Sequence, residues 1–424
     1  MADQNAEERD YFTDPAVLLD SHDYYRKVFA HGPIYQVPGK DYLMVTGFEE
    51  CEAVVRNSND FSSIFCFSPY GAGLPLPFTP QGDDISEQIE SHRQPEDLLV
   101  TYDGAFHAAS RSILSKLFTP SRLNANKAFM TEYADKLASD VVSRGGCELI
   151  SEFALPFATS VIADLLGIPE DDRQLFMDAI AASPPIGSVV DPNDVQTQIP
   201  HFRFMSDFFE GYIRDRRANP KADVLHELAT ATYPDGSTPD LMEIVKLAMF
   251  LFVGGRGSAA KFMATCLSFV ADMPDLQQKM REDHKLIPEF IEEVLRLQGT
   301  TKATFRLARR KTRVGDVEIP AGTKLVVAFE AANRDPRRWD NPDDFQLGRP
   351  RIREHLAFGR GPHTCAGAPL ARTEARVVIE RFLQTTSSIS LNEEKHGTPD
   401  NRELPFEPSY ISRGLSNLHL VFKP

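Results

Sequence analysis

The chain has 424 residues, 42% hydrophobic and 25% charged, and its 46 basic and 61 acidic side chains leave a net charge of −15. Such a composition buries a large core, and the acidic balance argues against nucleic acid or an anionic membrane surface as a partner. No apolar run reaches the roughly 18 residues of a membrane span, and MADQNAEERDYF has the character of neither a signal nor a transit peptide. Five scattered cysteines, Cys51, Cys66, Cys147, Cys266 and Cys365, make no disulfide framework, so the cytoplasm is expected. Length alone suggests two or three domains.

In chain order, IYQV and YLMVTG near the N-terminus read as short strands. SPYGAGLPLPFTPQGDD (Ser68 to Asp84) and ASPPIGSVVDPND (Ala182 to Asp194) are rich in Pro and Gly. Each reads either as a linker between domains or as a cover over a buried site. Asp240 to Met273 carries the longest helical pattern, with Thr238 placed to cap it and Pro239 at its first position. Its centre holds Gly254, Gly255 and Gly257, each costing about 1 kcal/mol relative to alanine in a helix interior. Ser258 can turn its hydroxyl back onto the carbonyl of Gly254. Close packing on another helix is one reading. A helix opened at its middle to receive something flat is the other. VEIPAGTKLVVAF (Val317 to Phe329) looks like a hairpin around Pro320 to Thr323. Most of the remainder has helical periodicity, so the expected class is mainly α with a small β-rich lobe.

LAFGRGPHTCAGAPLAR (Leu356 to Arg372) sets Cys365 among Gly359, Gly361 and Gly367, just before a helix with Ala371, Ala375, Val378, Ile379 and Phe382 on one face. A helix N-terminus favours thiolate over thiol. Such a thiolate serves as a nucleophile, with His363 as a nearby base, as a redox thiol, or as a metal ligand. No second cysteine lies near enough for a zinc site. The glycines suit a thiolate beneath a large planar cofactor, and haem iron takes such a ligand where dioxygen is to be cleaved.

Phe358-Gly-Arg-Gly361-Pro-His363-Thr-Cys365-Ala-Gly367 resembles the haem-ligand loop of the cytochrome P450 family of haem-thiolate monooxygenases, at every fixed position. Glu293-Val-Leu-Arg296 resembles the family's Glu-x-x-Arg helix, and Arg349 lies where the family places the third member of that buried pair. Basic residues matching His107, Arg111, Arg306 and His363 hold the haem propionates in the family. The resemblance implies a single P450 domain over residues 1–424, with a tail over about the first 20, enclosing one haem b. Cys365 is the implied axial iron ligand, with Phe358 and Gly367 beside the cofactor. Phe250, Val253, Gly254, Thr301 and Ile411 are implied in the substrate pocket, with the loop from Phe65 to Leu76, Thr300 to Thr304 and the turn near Tyr410. The implied reaction inserts one oxygen atom of O2 into a small apolar substrate of terpenoid, steroid or aromatic type.

The long helix departs from the family pattern. Where the family has a small residue, Gly, any residue, an acid and Thr, this chain reads Gly254-Gly255-Arg256-Gly257-Ser258. The alcohol that assists oxygen activation survives as Ser258, whereas the acid is replaced by Gly257. Protons must then come by a water chain, by Arg256 through water, or from the substrate. The missing acid also admits a peroxide-driven, coupling or rearranging enzyme, and a non-catalytic haem sensor is a further alternative. Without a fused reductase or membrane anchor, electrons are expected from a ferredoxin or flavodoxin with an NAD(P)H-dependent reductase. Arg351, Arg353, Arg360 and Arg372 are candidates for the docking face, and Arg349 is expected to be internal.

Overall fold

The computed structural model describes residues 9–65, 78–94, 97–181 and 195–424. The Pro- and Gly-rich stretch 182–194 and most of the segment from Phe65 to Leu76 lie outside the described residues, as does Cys66.

The helix Leu241–Asp272 is the axis of the molecule. At 1.5 Å per residue its 32 residues span about 48 Å. It is apolar nearly all round, as befits a helix packed on every side: Val245, Phe252, Ala260, Cys266 and Val270 are each 0% exposed. It packs against Leu155–Leu166, Val195–Ala218, Ile287–Gln298 and Ala368–Thr385. A fully buried Leu or Phe contributes about 1.5–3 kcal/mol, so this axis anchors the largest core.

The helix starts at Leu241, later than the sequence suggests, and Asp240 stands at the cap position without a side-chain bond. The preceding chain is engaged in a turn, with Tyr233 N–H donating to Ser237 O at 2.9 Å. With Asp240 at the cap position, Thr238 lies two residues too early to reach the first free amides. Backbone hydrogen bonding then runs unbroken through the glycines to Asp272. The helix is therefore not opened at its middle; only its surface is bare there.

Ten short strands occur among the described residues: β1 (Ile34–Gln36), β2 (Tyr42–Val45), β3 (Phe61–Ser62), β4 (Gly146–Glu148) and β5 (Thr304–Ala308) in the first part of the order. They are followed by β6 (Thr312–Val314), β7 (Val317–Ile319), β8 (Lys324–Val327), β9 (Ser388–Leu391) and β10 (His419–Lys423). The main sheet has the order β1-β2-β8-β5-β3. β4-β10-β9 forms a second sheet, and β6-β7 is a ribbon.

The expected hairpin from Val317 to Phe329 does not form. β7 pairs with β6, whereas β8 lies between β2 and β5. Burial explains the parting, because Val317 and Glu318 are exposed while all four residues of β8 are buried. Gly322, at φ 81°, turns the chain between the sheets and donates its N–H to Ala308 O at 2.7 Å.

Within the expected N-terminal tail, Tyr11 is 0% and Val17 2% exposed, in a second core with Tyr42, Phe305, Tyr410 and Ile411. Tyr11 Oη donates to Tyr410 O at 2.6 Å. Residues 11–18 are thus part of the body.

Candidate functional site

The loop before Ala368–Thr385 is shaped by its glycines. Gly359 and Gly361 have φ of 65° and 73°, a region that favours glycine. A Cβ on Gly361 would lie 2.7 Å from Val55 O, so the loop's backbone presses on the end of the helix Phe48–Arg56. Cys365 N–H closes the loop on Phe358 O at 2.9 Å. Phe358 is partly buried, with the Arg372 guanidinium 4.6 Å from its ring centroid.

Cys365 lies deep within the protein, yet its side chain is accessible. An enclosed but accessible thiol faces an internal hollow. Burial pushes this thiol above its usual range, while the amides of Gly367 and Ala368 and the charge of Arg111 act in the other direction. A cation at the sulfur would complete that compensation. At Gly367 a Cβ would meet only the Cys365 sulfur, at 3.9 Å, so the protein's own packing does not require glycine there. Cys51, Cys147 and Cys266 are buried with raised thiols, leaving Cys365 as the accessible one among the described residues.

The long helix shows a similar bare patch. Gly254 and Ser258 are exposed between the buried Phe252 and Ala259. Apart from the adjoining residues and the helix's own backbone, no described atom lies within 4 Å of where a Cβ on Gly254 or Gly257 would stand. Ser258 Oγ donates to Gly254 O at 2.8 Å. Arg256 points elsewhere, its Nε donating to Thr159 Oγ1 at 3.1 Å. Phe250 and Val253 are half-buried one turn earlier. Thr301 is half-buried and bridged to Ser412, and Ile411 is buried at 5% exposure.

A cluster of basic groups completes the site. His107 and His363 stack with ring centroids 4.0 Å apart. Arg111 donates from Nη2 to Thr364 O beside the cysteine, and Arg306 Nη1 donates to Phe305 O at 2.7 Å. Burial and then Arg111 push His107 down to about 4; burial and then Arg306 push His363 down to about 2. Burial is the larger cause in both, and the neighbouring guanidiniums add to it.

Glu293, Arg296 and Arg349 form a fully enclosed group away from the hollow. Arg296 Nε and Nη2 donate to the Glu293 carboxylate at 2.9 and 2.8 Å, and Arg349 Nε does so at 3.0 Å. Arg296 also binds the carbonyls of Asn333 and Pro342, pinning the loop that leads to the cysteine.

Some partners had no local signal in the sequence. Glu292 accepts from Arg372 Nε at 2.6 Å and pairs with His355 at 3.1 Å. The Arg372 side chain is still 33% exposed. Arg351 pairs with Glu354, and Arg360 stands 3.9 Å from Glu52. Ser63 and Asp103 also reach the histidine cluster. Asp103 stands just ahead of a helix without capping it through its side chain.

Among the described residues, a mainly helical body holds one accessible cysteine with basic groups beside it, an arrangement suited to a cofactor. The family model for cytochrome P450 matches residues 80–409, and the chain belongs to that family. A Mycobacterium marinum cytochrome P450, CYP150A6 in its substrate-free form, is similar over 99% of both chains, with 44% identity and a TM-score of 0.90. The biotin biosynthesis cytochrome P450 of Bacillus subtilis is 27% identical, over 96% of this chain and 97% of its own. Cytochrome P450 144 of Mycobacterium tuberculosis is 29% identical, over 88% of this chain and 84% of its own. The family's cofactor is haem b, and its members are monooxygenases.

The residues present fit that cofactor: an accessible thiol, helix surface without side chains, and basic groups suited to two carboxylates. Among the described residues no cluster of three or more His, Cys, Asp or Glu offers a separate metal site. No described helix is long and apolar enough to cross a membrane.

Proposed function

We propose that the protein is a cytoplasmic haem-thiolate monooxygenase that inserts one oxygen atom of O2 into an apolar organic substrate of terpenoid, steroid or aromatic type. The observation that carries this reading is Cys365, enclosed and yet accessible, with amides of Gly367 and Ala368 directed at its sulfur. Cys365 would be the axial ligand, and His107, Arg111, Arg306 and His363 would hold the two carboxylates. Held by a thiolate, haem would supply the chemistry of oxygen activation.

The chain's own part is to position the substrate, exclude water and manage protons. Phe250, Val253 and Thr301 supply a mostly apolar wall, and the bare backbone at Gly254 leaves room for a flat group. Ser258 holds the proton nearest that surface, currently donated to Gly254 O. It can pass the proton on only by turning away from that carbonyl, and water must then replenish it. Arg351, Arg353, Arg360 and Arg372 are the candidates for meeting an acidic ferredoxin or flavodoxin served by an NAD(P)H-dependent reductase. The free state of the described cysteines supports a reducing compartment.

Reduced protein under carbon monoxide should give the red-shifted Soret band of thiolate ligation, and Cys365→Ala should lose it. A globin-like band in the wild type would remove the assignment. A screen for substrates that shift the haem from low to high spin, followed by product analysis, then defines the substrate. Peroxide-driven turnover is the second reading, favoured by the open space at Gly257 where the family carries an acid. Turnover with hydrogen peroxide alone, at the rate of the ferredoxin-driven reaction, would select it.

A further inference from the structure

Asp103 precedes the helix Gly104–Ser115 at its N-cap position, but its carboxylate makes no bond to that helix. The side chain is 2% exposed. It accepts from Ser63 N–H at 2.9 Å, from Arg93 Nη2 at 3.0 Å, from Arg309 Nη2 at 3.1 Å, and from Ser62 Oγ at 2.5 Å. Two guanidinium partners neutralise the buried charge. The bonds to Ser62 and Ser63 fix the end of β3 and the residue after it.

Ser63 uses that fixed position. Its Oγ lies 3.0 Å from His363 Nε2, across 300 residues of sequence. The carbonyl of Asp103 meanwhile accepts His107 N–H at 3.2 Å. The stacked imidazoles therefore both hang from residue 103, one through the backbone and the other through Ser63. Arg93 follows the helix Ser86–Ser91 and Arg309 follows β5. One carboxylate thus ties four parts of the chain to the histidine cluster.

We infer that Asp103 is a positioning residue for the carboxylate-binding site, which through Ser63 holds the His363 ring in register with His107. The bond to Nε2 leaves Nδ1 as the uncommitted nitrogen and restrains rotation of the ring. Outer partners of this kind set the orientation of the groups that touch a ligand. The inference rests on the reading that His363 holds a haem carboxylate.

The test times transfer of haem from the holoenzyme to excess apomyoglobin. Ser63→Ala and Asp103→Asn should each release haem about 10- to 100-fold faster than wild type, while Ser63→Thr, which keeps the hydroxyl, should stay close to it. Because Ser63 acts through His363, Ser63→Ala combined with His363→Ala should be no faster than His363→Ala alone. The thiolate band under carbon monoxide should persist throughout. If Asp103→Asn does not accumulate, the Ser63 series decides. Release from Ser63→Ala within about twofold of wild type, with His363→Ala fast, would overturn the role of Asp103 alone. Wild-type release from His363→Ala would overturn the underlying reading of His363 together with it.

Discussion

Gly257 has open space where a side chain would stand, and Ser258 beside it has its hydroxyl proton committed to Gly254 O. Ser258→Ala should therefore leave folding and haem content almost unchanged, because the lost bond only duplicates what the backbone already satisfies. It should lower product and raise hydrogen peroxide per nicotinamide oxidised. Gly257→Asp has the room to restore an acid, and coupling should rise. Measurement of both ratios with one good substrate checks the pair, and unchanged coupling in Ser258→Ala would strip Ser258 of its catalytic role. His107 carries a pH signature of its own. Its folded value, about 4, lies below the ordinary 6.5 because of burial and then Arg111. The unfolded chain binds the extra proton first, so stability of the haem-free protein should fall as pH drops from about 6.5 toward 4. His107→Gln should flatten that fall, read from urea midpoints across the same range.

At the scale of elements, Glu293 joins the helix Ile287–Gln298 to the loop carrying Arg349 with no solvent access. Glu293→Ala leaves two buried guanidiniums without a counter-charge and should cost about 3–5 kcal/mol. The expected outcome is a large fall in soluble holoprotein and in the denaturant midpoint; a midpoint near wild type would contradict it. This group was legible only through the family resemblance, since Glu293 and Arg296 alone look like a surface pair and Arg349 lies 56 residues from Glu293. The cysteine loop was legible locally: glycines, a histidine and a helix start fall within ten residues. Strand partners were not. Val317–Ile319 and Lys324–Val327 look like one hairpin in sequence, because local pattern does not say which sheet will bury β8. The start of the long helix was missed through a turn at Tyr233–Ser237 that uses the residues before it. Asp103 had no legible role, because the groups that claim its carboxylate lie at positions 62, 63, 93 and 309.

Across the whole molecule, a charged cluster holds the N-terminal segment against the body. His22 stands 2.9 Å from Asp20 and 2.9 Å from Glu330, and Arg413 is 3.5 Å from Glu330. Lys302 Nζ donates to Leu18 O and Ser409 O at 3.0 Å. Burial opposes a charge on His22, but Glu330 and Asp20 outweigh it and raise its value above 6.5. A raised histidine stabilises the fold below its ordinary value and loses that contribution as pH rises through the folded one. The melting temperature should therefore decline from about pH 6 to pH 9 more steeply in wild type than in His22→Gln. Equal slopes would mean the cluster is held by Arg413 and Lys302 alone.

The bond from Tyr11 to Tyr410 spans 399 positions, and this separation bears on how the protein is made. At roughly 5–20 residues per second, a ribosome needs on the order of 20–80 s to deliver the second partner after the first. During that interval Tyr11, Phe12, Tyr24, Tyr25 and Tyr42 have no completed core to enter. The nascent chain carries an aromatic patch in search of cover. It is the stretch on which a chaperone would dwell until the chain near Tyr410 arrives.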